Sequence, residues 1–335
     1  MKRLDATPEG VEEATGLLAA GDLVALPTET VYGLGADALN PGAVARVFDA
    51  KRRPSFDPLI VHLADPPGAG RDAFGVLAEP VAAALAAALW PGPLTLVVSR
   101  PAWVPGLVTS GLETVGVRVP DHDATRAVIR GLDGLRPGLP GAVAAPSANP
   151  FGGVSPTRAG HVAVPCAAVL DGGPCRTGVE STVVRVEAGE AVVLRWGGTP
   201  AETLERALRE AGLPGAVREA DPGGPLASPG RLDRHYAPRT PLTFLPRGGD
   251  PPAPPPRTGL LFCGERPRSA GLFAVEEDLS AGGDLVEAAA GLFAAMHRLD
   301  AAGLDAVVAV GVEEAGLGRA INDRLRRASR KPDHV

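Results

Sequence analysis

An α/β fold is what this sequence predicts: a twisted, mixed open sheet, then a linker, then a small α/β C-terminal domain. Three observations carry that expectation. Short apolar runs of strand length recur through the first part of the chain with fewer helical patterns between them. A Gly/Pro-rich stretch without periodicity interrupts the chain after residue 212, and strand-like and helical segments resume beyond it. With 335 residues, 45% of them hydrophobic, the chain can bury one large or two ordinary cores.

Thr7 and Pro8 read as an N-cap and first helical position, and an amphipathic stretch runs to Ala20 before Gly21 ends it. A strand over Leu23–Leu26 follows. Asn40 to Arg52 repeats the cap-plus-proline start of a helix, and Leu59–Leu63 is a buried apolar strand. Further strands are expected at Leu94–Ser99, Thr114–Val119, Ala142–Ala145, Ala168–Leu170, Ser181–Val186 and Val192–Arg195. So many strands with fewer helices favour a mixed sheet over a strictly doubly wound one. Thr199, Pro200 and Glu202 spell a capping box for a helix reaching about Ala211, the last element of a first domain over 1–212. Residues 213–239 form the linker and a candidate lid. In 240–335, strands at Leu242–Leu245, Gly259–Cys263 and Ala306–Val310, with helices over Leu285–Ala302 and from Ala320, suffice for a small α/β domain.

Composition excludes several classes. No run of roughly 18 apolar residues occurs, and Met1 to Gly10 has neither a basic leader nor an apolar signal core, so a cytoplasmic protein without membrane contact is expected. Cys166, Cys175 and Cys263 show no CxxC spacing, which supports neither a disulfide framework nor a structural zinc site. A net charge of −6 argues against an extensive nucleic-acid surface but allows a local basic pocket.

Scarce residues are informative without an alignment. Lysine occurs only at Lys2, Lys51 and Lys331, tyrosine at Tyr32 and Tyr236, and asparagine at Asn40, Asn149 and Asn322. Where arginine is the default cation, an internal lysine suggests a place needing a compact ammonium.

No GxxxxGK[ST] loop exists, and Gly33-Leu34-Gly35 lacks the third glycine of a dinucleotide fingerprint. Pro27 to Gly35 follows a strand and delivers hydroxyls, a carboxylate and a phenol together at a sheet edge; it reads as a ligand loop or as a polar turn closed by glycines. Lys51, Arg52 and Arg53 end a helix, where the macrodipole alone explains cations, but the lone internal lysine moves the reading toward a phosphate site. Ala145 to Asn149, with Gly152-Gly153 and Ser155-Pro156-Thr157 beyond, suits close backbone approach to a ligand, or a plain loop. Arg118, inside an apolar strand, needs an anionic partner, either a local acid or a bound carboxylate. Arg195 invites the same two readings. His62 on its apolar strand reads by itself as a satisfied core histidine.

Taken in order, PTETVYGLG, the Lys-x-Arg-Pro turn leading to PLIVH, WPGPLTLVV, VGVRVPDH, APSAN with SPT, and ESTVV resemble the YrdC-like threonylcarbamoyl-AMP synthase family from about residue 22 to 199. Ser228-Pro229-Gly230 and Arg234 to Pro238 resemble the linker of its long, two-domain form. The resemblance implies an enzyme that makes L-threonylcarbamoyl-adenylate from ATP, L-threonine and bicarbonate with release of pyrophosphate. It further implies Mg²⁺ on the triphosphate and a downstream tRNA threonylcarbamoyl transferase complex that modifies tRNA adenosine. Carried over residue by residue, it implies catalytic roles for Lys51 and Arg53. Nucleotide contacts are implied at Lys51, Arg53, Thr114, Ser147, Asn149, Ser155, Arg195 and the linker's Tyr236. The threonine pocket is implied at Thr30, His62, Arg118 and Ser181, and no metal ligand is assigned. Asp57 stands where the family commonly has Lys or Asn, Trp196 replaces a proline, and Arg231, Leu232 and Asp233 depart from the usual linker residues. Two other classes compete. An RNA-binding or ribosome-associated factor is opposed by the net acidity and the two tyrosines. A carbamoyltransferase of the hydrogenase-maturation type would need acylphosphatase and zinc-finger modules, which are missing from the sequence.

Overall fold

The computed structural model of the chain describes residues 1–68, 72–136, 138–221 and 235–330. Numbered in chain order, eleven described strands form one sheet. Its spatial order is β1 (Lys2–Asp5), β8 (Ala168–Asp171), β2 (Val24–Leu26), β3 (Gly33–Asp37), β7 (Val143–Ala144), β4 (Ile60–His62), β6 (Thr114–Arg118), β5 (Leu94–Ser99), β9 (Thr182–Glu187), β10 (Glu190–Arg195) and β11 (Val217–Glu219). The sheet contains both parallel pairs, such as β4 with β6, and antiparallel ones, such as β5 with β6, so it is mixed, as expected.

Helices cover both faces because the strands bury both. On β2, Ala25 packs into the core that holds Val44 and Val47 of α2 (Pro41–Lys51), Leu85 of α3 (Pro80–Leu89) and Leu204 of α5 (Ala201–Glu210). Its neighbours Val24 and Leu26 face the other way, toward Leu18 of α1 (Pro8–Ala19) and Ile129 of α4 (Asp123–Gly131). Thr7 caps α1 through the Gly10 N–H, and Asn40 caps α2 through those of Gly42 and Ala43. The capping box expected for α5 does not form. Pro200 is the cap residue and supplies no side-chain bond, while the Thr199 hydroxyl donates to the Pro93 carbonyl (3.1 Å) and so ties α5 to the β5 entry. β11 falls inside the stretch expected as linker and pairs in parallel with β10, so the first sheet extends to Glu219.

The second sheet is all parallel, in the order β12 (Leu242–Leu245), β15 (Ala306–Val310), β13 (Thr258–Phe262), β14 (Val275–Asp278). Helices α6 (Leu285–Ala301), capped by Asp284, and α7 (Gly318–Ala328) pack on it through Leu292, Phe293, Ile321 and Leu325. That core does not stop at the domain border, because Val31, Val154, Val179 and Tyr236 belong to the same apolar cluster. Gly178 permits the contact. Its φ is +71°, and a Cβ there would lie 2.3 Å from the Ala289 carbonyl of α6. Among the described residues no helix is long and apolar enough to cross a membrane.

Candidate active site

Ile60 and His62 lie two apart on β4 and project from the face opposite Val61. His62 is opposite Arg118 on β6. Together with the loops after β2 and β7, the turn after α2 and the ends of β9 and β10, they line a small cavity of about 50 Å³ that His235 and Tyr236 border.

The loop after β2 is wired by hydroxyls. Thr28 Oγ1 accepts from the N–H groups of Thr30 and Val31 and donates to the Val31 carbonyl (2.6 Å). That leaves the Thr30 hydroxyl to donate to Thr28 Oγ1 (2.8 Å) while it accepts from Arg118 Nη1 (2.9 Å). Arg118 Nη2 is 2.6 Å from Glu29 Oε1, and both side chains are buried. The other Glu29 oxygen accepts from the Asp121 N–H (3.1 Å), and Arg118 Nε donates to the Gly92 carbonyl (3.3 Å). Arg118 therefore has the local acid its strand position demands, and it also faces the cavity. Burial, with the Arg118 charge beside it, pushes His62 down to about 3, so its imidazole is neutral at physiological pH.

A second cation comes from the turn after α2. Arg52 adopts a left-handed φ of 52° and is exposed, whereas Lys51 and Arg53 on either side are buried. A non-glycine residue held there costs on the order of 1–2 kcal/mol, which points to a constraint on its neighbours. Arg53 donates to the carbonyls of Asp57 and Pro58 (3.0 Å each), pairs with the Asp57 carboxylate (2.8 Å) and lines the cavity. Asp57, the departure noted in the sequence, is thus the buried counter-ion of Arg53. Lys51 does not line the cavity. Its Nζ donates to the Ser147 and Asn149 carbonyls (2.5 Å each), so it fixes the loop after β7 from behind. Burial, followed by the nearby Arg53 charge, holds its ammonium well below the ordinary lysine range.

Arg195, at the end of β10, donates to the Ser181 carbonyl (2.9 Å) and hydroxyl (3.3 Å), and Ser181 is 2.7 Å from the Thr95 hydroxyl. His235 packs edge-on against Tyr236 (ring centroids 4.1 Å), and burial next to Arg53 and Lys51 keeps it neutral. Among the described residues the buried Tyr236 hydroxyl has no hydrogen-bond partner.

Of the residues singled out in the sequence, Thr30, Arg53, His62, Arg118, Ser147, Ser181, Arg195 and Tyr236 line the cavity. Four are placed elsewhere. Lys51 and Asn149 support the loop, the latter donating to the Pro150 and Gly153 carbonyls (2.9 and 2.8 Å). Ser155 donates to Glu180 Oε1 (2.5 Å). Thr114 starts β6, at the far end from Arg118 and opposite Ser99. Ser228 to Arg234, and with them the Arg231–Asp233 departures, lie outside the described residues. Sequence reasoning missed Glu29, Glu180 and Arg324. Glu29 was legible as the one acid of the first motif, and Arg324 as a charge three residues beyond Ile321 on the apolar face of α7.

The Sua5_yciO_yrdC family model, described as telomere recombination, matches residues 16–197, and a model described as the threonylcarbamoyl-AMP synthase C-terminal domain matches residues 199–330. The threonylcarbamoyl-AMP synthase of Pyrococcus abyssi is 39% identical over 332 residues, spanning 94% of this chain and 93% of that protein. That of Bacillus subtilis is 38% identical over 340 residues, spanning 95% and 92%. The crystal structure of P. abyssi Sua5 complexed with L-threonine superposes with a TM-score of 0.82 at 34% identity, covering 98% of this chain and 97% of that one. A structure of the same P. abyssi protein with a histidine and the adjacent tyrosine both changed to alanine gives 0.84 at 33% identity, covering 98% and 96%.

Proposed function

The chain belongs to the Sua5/YciO/YrdC family in its long, two-domain threonylcarbamoyl-AMP synthase form, and on that footing we propose how its own residues join ATP and L-threonine. One observation carries the reading: Arg53, Arg118 and Arg195 converge from three separate elements on one small cavity that also holds a neutral His62 and the hydroxyls of Thr30 and Ser181. Such a set suits an amino acid carboxylate at one end and a polyphosphate at the other.

Arg118 and Thr30 would take the threonine carboxylate, while His62 and Ser181 discriminate its hydroxyl and amine. With a pKa of about 3, His62 is a hydrogen-bond partner for the amine and not the base that deprotonates it. The free amine attacks the carbon of bicarbonate, water leaves, and a carbamate oxygen then attacks the α-phosphorus of ATP, expelling pyrophosphate. Arg53 and Arg195 would offset the charge of the phosphates, and Lys51 would keep the Ser147–Asn149 loop in place to receive them.

Magnesium would enter with the triphosphate. A hard cation prefers oxygen, and the wall offers the Ser147 hydroxyl, while both oxygens of the Glu180 carboxylate are already engaged by Ser155 and Arg324; among the described residues no group of three or more His, Cys, Asp or Glu could hold a metal, so phosphate oxygens would supply most of its ligands. The ion would help neutralise the leaving pyrophosphate.

The cavity of about 50 Å³ is far below the roughly 300–1,000 Å³ of small-molecule clefts, so the site would widen to admit the substrates, with His235 and Tyr236, which border it, withdrawing and then returning to exclude water. The product would pass, in the cytoplasm, to a tRNA threonylcarbamoyl transferase complex. Pyrophosphate release with ATP, Mg²⁺ and bicarbonate tests the reading. Threonine should stimulate it well above serine, alanine or no amino acid, and equal rates with all of them would refute it.

A further inference from the structure

Among the described residues none that lines the cavity comes from beyond Tyr236, yet C-terminal side chains reach the groups around it: His297 of α6 meets the Ser155 carbonyl (3.2 Å), Phe293 of α6 stacks on Tyr236, and Arg324 of α7 makes the most bonds. Arg324 of α7 has no solvent exposure, and each guanidinium nitrogen donates a hydrogen bond. Nε donates to Glu180 Oε2 (2.8 Å), Nη1 to Asp323 Oδ2 (2.6 Å) and Nη2 to the Trp196 carbonyl (3.0 Å). Its Cζ also lies 4.8 Å from the centroid of the Tyr236 ring, which further contacts Phe293 of α6 (5.8 Å, stacked) and the adjacent His235 (4.1 Å, edge-on). The second Glu180 oxygen accepts from Ser155.

One guanidinium thus joins three segments that border the cavity: the turn before β9 through Glu180, the end of β10 through Trp196, and the closing segment through Tyr236. A purely structural need at this border is poorly served by a charge, since a buried ion pair is often matched or bettered by apolar residues of similar volume. Tyr236 also sits at a left-handed φ of 62°, a backbone state that persists only when its surroundings hold it. The ring contacts with Arg324 and Phe293 help to hold it, together with the apolar neighbours Val31, Val154 and Val179 and the Ala237 N–H, which donates to the Gly152 carbonyl (2.8 Å).

We propose that Arg324 is a positioning residue of the N-terminal active site: it fixes Glu180, and through it Ser155, and clamps the Tyr236 ring where it borders the cavity, so that the C-terminal domain braces this wall of the site. This rests on reading the cavity as the site of adenylate formation. A clamp that keeps water out governs how much product survives. Without it, more of the threonylcarbamoyl-adenylate is hydrolysed to threonine, carbon dioxide and AMP before release.

The deciding readout in the full-length protein is AMP formed per pyrophosphate released, a ratio that does not depend on the fraction of molecules folded. Arg324→Lys keeps the charge but loses the fork and the ring contact. The pair Arg324→Met with Glu180→Gln removes both charges, leaving neither buried alone. Both should raise the ratio at least threefold and lower kcat about tenfold, with KM for threonine changed less than threefold. Tyr236→Leu should raise it similarly, and adding it to Arg324→Lys should add nothing, because both act through one clamp. A wild-type ratio in both Arg324 variants, or independent effects in the combination, overturns the proposal. Absence of threonine-dependent pyrophosphate from the wild type would overturn the reading of the cavity and this inference with it.

Discussion

Arg118 poses a question that one pair of variants can answer, because it has both a buried acid, Glu29, and a face toward the cavity. Arg118→Met alone leaves the Glu29 carboxylate buried without its cation, a change that costs about 3–5 kcal/mol out of a total of about 5–15. Such a variant is destabilised whatever Arg118 does for substrate. Adding Glu29→Gln removes the orphaned charge while keeping an oxygen to accept from the Asp121 N–H (3.1 Å in the wild type), so most of the stability should return. The threonine carboxylate would still lack its guanidinium. Loss of a charged hydrogen bond is worth about 1.5–3 kcal/mol, or roughly a tenfold to hundredfold rise in KM for threonine. Denaturant melts and threonine titrations of pyrophosphate release, on wild type, single and double variants, separate the effects. A double variant as stable as wild type with threonine KM within twofold would refute the carboxylate role and leave Arg118 as the partner of Glu29 only.

Lys51→Met removes two hydrogen bonds from the loop after β7 but also removes an ammonium that burial disfavours, so the fold should persist while turnover falls at least tenfold; an unfolded or fully active variant would contradict this. Acid should loosen the domain border. His161 stacks on His297 of α6 (4.2 Å) beside Arg158, Arg298 and Asp300, and burial lowers both imidazoles, His161 to about 4. A histidine lowered by folding binds more protons when unfolded. The stability it leaves intact above pH 6.5 is therefore lost as pH falls from 6.5 toward 4, with His62 extending the loss toward 3. The midpoint of thermal unfolding should drop over that window in wild type and drop less in His161→Gln; identical slopes would refute the assignment.

The strands were legible where burial on both faces leaves an unbroken apolar run. Leu94–Ser99 and Ala306–Val310 match the expected bounds, since such runs need little more than their own composition to be recognised, and Leu242–Leu245 matches too although Thr243 faces solvent. β3 was not legible, because Gly33-Leu34-Gly35 reads as a glycine turn. Its strand character comes from pairing with β2 and β7, where a Cβ on Gly35 would meet Leu26 and the Val24 carbonyl at 3.0 Å. β11 hid in a Gly/Pro-rich stretch because its partner, β10, lies more than twenty residues earlier. In the candidate site, scarcity singled out Lys51, Asn149 and Tyr236, but composition has no geometry. It could not show that Lys51 and Asn149 brace a loop while Tyr236 faces the cavity. Nor could any motif within the first domain reveal Arg324, which reaches Glu180 from 144 residues away.

The central claim is that this one cavity joins threonine, a one-carbon unit and the adenylyl group. Mass spectrometry of the nucleotide formed by full-length protein from ATP, Mg²⁺, L-threonine and ¹³C-labelled bicarbonate tests it most directly. The account predicts an adenylate carrying both the threonyl group and one ¹³C, formed one for one with pyrophosphate apart from what is hydrolysed to AMP. An adenylate without the label, or pyrophosphate release that threonine does not change, would contradict it.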